Sequence, residues 1–114
     1  MIRLKTEKGT IAVDSDVYTN IAGYAATNCF GVKGMAFRSM TDGLVHLLRK
    51  EAMGKGVRVT FHNAISIDLH IIIDKGVNIC AIGNSIISEV RYFVTKSTGT
   101  EVRAVNVFVD SITT

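Results

Sequence analysis

Hydrophobic and polar residues alternate along several stretches of the chain and recur at helical spacing along others. Ile2 and Leu4 alternate with Arg3 and Lys5, Glu7-Lys8-Gly9 supplies a turn, and Ile11 and Val13 resume the alternation. That period of two predicts a short β-hairpin over residues 2–13. The clearest strand signal comes later, where Val57, Val59 and Phe61 alternate with Arg58, Thr60 and His62. Ile65, Ile67, Leu69, Ile71 and Ile73 then alternate with Ser66, Asp68, His70 and Ile72. Residues opposite each other in a hairpin share a face, so Phe61 is expected to pair with Ile65. His62-Asn63-Ala64 is then the loop, with Asn63 tolerating a left-handed backbone. Val105, Val107 and Val109 alternate through a last strand.

Elsewhere the period lengthens. Asp14 or Ser15 is suited to cap a first helix running to about Cys29, because a short side-chain oxygen there accepts free amides of the first turn. Val17, Ile21, Tyr24, Ala25 and Asn28 fall near one face. The run Ala22-Gly23-Tyr24-Ala25-Ala26 is small enough to let a neighbouring element approach closely. Phe30 to Met35 breaks this helix. A second helix is expected from Thr41 or Asp42, burying Leu44, Leu47, Leu48 and Ala52 and ending at Gly54. A third follows Asn78, with Ile79, Ile82, Ile86, Val90 and Phe93 inward and Gly99 as its stop. Gly83 within it costs ~1 kcal/mol against alanine, which suggests close packing. The order ββ-α-α-ββ-α-β is an α+β fold of two layers, with helices on one face of a mainly antiparallel sheet.

The 114 residues form one domain with no proline, charge block or low-complexity linker. Hydrophobic residues make up 47% and charged residues 20%, as in ordinary globular proteins. The mean hydropathy of +0.30 is high for so short a chain, so part of the apolar surface is expected to meet a partner. No segment is long and apolar enough to insert directly into a membrane, and the first residues lack the apolar core of a signal peptide. Cys29 and Cys80 are lone and far apart, which fits two reduced thiols in a cytoplasmic protein. The net charge of +3, with a pI near 9.0, permits a nucleic-acid partner without implying one.

No catalytic constellation emerges. His46, His62 and His70 have no neighbouring cysteine, and no cofactor, metal or nucleophile signature is present. His62, Asp68 and His70 share the outward face of one hairpin, where exposed polar residues are common, and Asp68 has no second carboxylate beside it. One short motif stands out: Gly31-Val32-Lys33-Gly34, a G-x-x-G expected between two helices. In KH domains such a loop clamps a nucleic-acid backbone. Here only Lys33 is cationic, and two glycines that end a helix and turn the chain need no ligand.

Several segments together resemble a known family. They are Ile21-Ala22-Gly23-Tyr24-Ala25-Ala26, Gly31-Val32-Lys33-Gly34-Met35, Gly56-Val57-Arg58-Val59, residues 67–73 and Val105-Asn106-Val107-Phe108-Val109. In this order and spacing the chain is similar to the alkaline shock protein family, an envelope stress response family of Gram-positive bacteria, and most of all to its short stand-alone members. The resemblance implies a non-enzymatic cytoplasmic scaffold without cofactors. It also implies an oligomer held near the membrane by a partner with its own anchor.

The strand alternation adds a candidate contact surface. Ile72 and Phe108 are expected to point away from the helices, among Arg58, Thr60, His70 and Asn106. A sheet that ends in unpaired strands offers its edge to a second chain.

Overall fold

The structure is a computed structural model that describes residues 1–38, 45–47 and 55–113. The chain opens with β1 (Ile2–Thr6) and β2 (Gly9–Val13), an antiparallel hairpin that forms a small sheet of its own. Asp14 caps α1 (Ser15–Thr27) by accepting from the Asp16 amide. Next come β3 (Val32–Arg38), β4 (Val45–Leu47), β5 (Val57–His62) and β6 (Ala64–Ile73). The long helix α2 (Ile79–Thr98) and β7 (Val102–Ile112) complete the fold. The expectation of an α+β fold with a mainly antiparallel sheet holds.

β6 is the centre of the main sheet. Along one side it pairs with β5, and further on with β3, which in turn pairs with β4. β7 lies along its other side. Phe61 faces Ile65, and Asn63 takes φ +65°. β7 runs parallel to β6, an orientation that strand alternation does not reveal. The reason is α2: a parallel neighbour needs a crossover, and its 20 residues carry the chain back over about 30 Å.

The inward residues Ile65, Ile67, Leu69, Ile71 and Ile73 meet Ile82, Ile86, Val90 and Val94 of α2 and the small face of α1 in one core. α1 is rotated from its expected phase, whereas α2 buries Ile82, Ile86 and Val90 as expected and departs only at its edges. α1 buries Tyr18, Ala22, Gly23, Ala25 and Ala26, while Val17 and Tyr24 are exposed. α2 buries Val94 and leaves Ile79 and Phe93 exposed. The small residues of α1 win over its larger apolar ones because they let the two helices and the sheet approach closely. Gly83 is not a packing glycine, for a Cβ added there meets nothing within 4 Å.

The middle of the chain also departs from expectation. Residues 45–47, placed on the second helix by their spacing, form a strand against β3. The rest of that proposed helix, including Leu44, Leu48, Ala52 and Gly54, lies outside the described residues. Strand pairing wins at Leu47 because Gly34 leaves room beneath it: a Cβ at Gly34 would come within 2.8 Å of Leu47 Cδ1.

Candidate functional site

The outward face of β5, β6 and β7 carries the residues singled out by alternation. Arg58, Thr60 and His62 are exposed on β5. On the two central strands the parallel register sets Asp68 opposite Asn106 and His70 opposite Phe108. Asn106 donates through Nδ2 to Asp68 Oδ1 at 2.9 Å. The His70 and Phe108 rings stack at 4.8 Å with 14° between their planes. A register shift near the end of β7 brings in Asp110, whose carboxylate lies 3.0 Å from His70 Nδ1. Sequence reasoning missed Asp110 although alternation from Asn106 and Phe108 puts it on the same face, because its partner His70 comes from a strand forty positions earlier whose parallel register alternation does not reveal.

Phe108 is 45% exposed and stands on the strand at the sheet's edge. Ile72 does not share that exposure: it is only 8% exposed and belongs to a buried layer. It pairs with Gly34, and Leu47 sits over that glycine, so this end of the outer face is covered. The candidate contact surface therefore narrows to Arg58, His70 and Phe108 with Asp110.

The Gly31-Val32-Lys33-Gly34 segment is also corrected. It is no loop between helices, since Val32, Lys33 and Gly34 already belong to β3. Both glycines are buried, and a Cβ at Gly31 would fall 2.5 Å from Ile82 Cδ1. Gly31 has φ +89° besides, so backbone and packing both demand glycine there. Lys33 alone is exposed. The geometry of a phosphate-clamping loop, with free amides between two open glycines, is not formed.

The three histidines are not gathered. His62 and His70 lie on different strands of the outward face, and His46 lies on β4 with its side chain outside the described residues. Among the described residues, no three His, Cys, Asp or Glu side chains are placed to hold a metal ion.

Beside the stacked pair runs the edge of the sheet. Among the described residues β7 pairs only with β6, so its far side presents alternate backbone amides and carbonyls to no strand. One carbonyl there, that of Arg103, accepts from Arg91 Nη2 at 3.4 Å. Between this edge and α2 lies a groove of about 480 Å³, formed by Cys80, Gly83 and Ile87 against Val105, Val107 and Phe108. Gly83 keeps it open by having no side chain. Among the described residues, no helix is long and apolar enough to cross a membrane.

These features define a two-layer α+β domain whose β7 edge no other strand pairs among the described residues, with an outward face of stacked and hydrogen-bonded side chains. The chain belongs to the alkaline shock protein family, described as having a cell envelope-related function, whose model matches residues 3–114. It is 35% identical to the uncharacterized protein YloU of Bacillus subtilis (strain 168) over 113 residues, which is 97% of this chain and 94% of that protein. The uncharacterized protein Spy1614 of Streptococcus pyogenes serotype M6 is 34% identical, over 97% of this chain and 93% of its own. Among solved structures, the chain named MamM-CTD 215-293 superposes with a TM-score of 0.52 at 15% identity, covering 86% of this chain and 99% of its own. At that identity the likeness concerns the fold alone.

Proposed function

We propose that this domain is a non-enzymatic scaffold of the cell envelope, which self-associates and docks on a membrane-anchored partner. The observation that carries the reading is the surface around β7. A large exposed aromatic, Phe108, stands on His70 directly beside an unpaired strand edge and an open groove. An edge of this kind gains main-chain hydrogen bonds from an added strand, and the groove takes its alternate side chains. The envelope-related family supports the cellular setting, and the chain's mild hydropathy excess supports a covered surface.

The test is Phe108→Asp, which places a charge where a contact would be desolvated and spares the core. The wild type should exceed monomer mass in light scattering, and the variant should be folded but smaller. Cross-linking in the native cell, with membrane and soluble fractions separated, should recover a membrane-anchored protein with the wild type. A monomeric wild type that recovers no partner would sink the proposal.

A further inference from the structure

On the helical layer, a second groove of about 410 Å³ runs between the end of α1 and the middle of α2. Three of the chain's eight aromatic residues line it: Tyr24 from α1, Phe30 from the turn that follows, and Phe93 from α2. All three are exposed, at 60%, 90% and 41%. Phe30 is the most exposed of them, and the fold holds it there. Gly31 must turn left-handed and press against Ile82, which leaves the preceding residue nowhere to go but outward.

The charge of the groove is one-sided. Glu89 is the ionisable carboxylate on its wall, with Asn28 and Ser85 as the polar groups beside it. The basic residues nearest to it on α2 are engaged elsewhere. Arg91 donates to the Arg103 carbonyl, and Lys96 lies over the Tyr92 ring at 5.5 Å while bonding its hydroxyl. The carboxylate is felt inside the groove, where it adds to burial in pushing the Cys29 thiol above its ordinary value.

We infer that this groove binds the cationic side chain of an arginine in a basic peptide segment of a partner protein. Aromatic faces attract a cation through their quadrupole, and a carboxylate at the rim supplies the opposite charge. A guanidinium suits such a site better than an ammonium, because it stacks flat on a ring while its forked N–H groups reach a carboxylate bidentately. The surface is separate from that of Phe108, so the inference stands or falls independently of self-association through β7.

The test is a titration of the full chain, at low salt, with a short blocked Gly/Ser peptide containing two arginines, followed by NMR. A matched peptide with glutamine at both places is the control. The arginine peptide should shift resonances of Tyr24, Phe30 and Phe93, and the glutamine peptide should not. Glu89→Gln and Phe30→Ala should each weaken binding about threefold or more, the scale of one exposed cation–π contact. Both positions are exposed, so neither change threatens folding, while Phe108→Asp should leave peptide affinity unaltered. No shift with the arginine peptide, equal binding of the glutamine peptide, or affinity indifferent to Glu89→Gln would each overturn the inference. So would phosphatidylcholine vesicles displacing the peptide, because the site would then read a quaternary headgroup.

Discussion

The Tyr18 hydroxyl is carried into the apolar core by α1, and its partner there is Thr100 Oγ1, 2.8 Å away and also buried. Buried hydroxyls persist only when paired, so removing one strands the other. Tyr18→Phe should therefore lower stability by about 1–3 kcal/mol in urea unfolding. Combining it with Thr100→Val should cost less than the two single changes added together, because no hydroxyl is then left unpaired. The two cysteines give a second contrast at this scale. Cys80 is exposed, whereas partial burial first and then the Glu89 carboxylate push the Cys29 thiol above its ordinary 9.0. A thiol-specific reagent near pH 8 should modify Cys80 well before Cys29, since the thiolate is the reacting form. The sign of the stability effect follows from protons bound. Above the ordinary thiol value the unfolded chain loses this proton while the folded chain keeps it. Stability should fall as pH rises from about 9 through the folded value, and Cys29→Ala should flatten that part of the profile. The sequence could place both cysteines in a reduced protein, but it could not rank them, because the ranking depends first on the burial of Cys29 and then on a carboxylate sixty positions away that only folding brings near.

At the scale of elements, α2 contains a glycine inside and a glycine at its end, and the two should respond oppositely to alanine. Gly83 has a helical environment with free space around it, so Gly83→Ala should raise stability by ~0.5–1 kcal/mol. Gly99 holds φ +70° and donates its amide to the Thr95 carbonyl at 2.8 Å, so Gly99→Ala should lower stability by about 1 kcal/mol. Thermal unfolding of both variants measures the difference. The stop at Gly99 and the caps at Asp14 and Asn78 were legible because capping is local chemistry. The inward residues of β5 and β6 were legible because a strand buried on one face leaves a period of two. The phase of α1 was not. Along α1 the larger apolar residues Val17, Ile21 and Tyr24 suggested one face, and the small ones set another through how closely α2 could pack. The strand at Val45–Leu47 was hidden because leucines at helical spacing resemble a helix until Gly34 is seen to offer Leu47 a seat. On the outward face, alternation gave the direction of Phe108 and His70 but not the burial of Ile72, which depends on that same distant seat. The aromatic groove was invisible, since Tyr24, Phe30 and Phe93 share no periodicity and meet only through the turn at Gly31.

For the molecule as a whole, the arrangement turns on β6, which is flanked by β5 and β3 on one side and by β7 on the other. Its two partners on the first side precede it in the chain, whereas β7 follows it only after α2. During synthesis the growing chain therefore presents β6 with one edge bare until β7 has left the ribosome, and that edge belongs to the most apolar strand. Ser66, Asp68 and His70 are the polar interruptions in residues 64–73, and Asp68, the charged one, is expected to guard against pairing with neighbouring nascent chains. A chain stopped before Val102 should be recovered in aggregates, while the full chain is not. Asp68→Val should raise the aggregated fraction of full-length chains made without chaperones, a quantity read by pelleting translation reactions. If the stopped chain stays dispersed, the late arrival of β7 carries no such hazard. If the domain does offer one strand edge to a partner, it must first survive having offered another to its siblings.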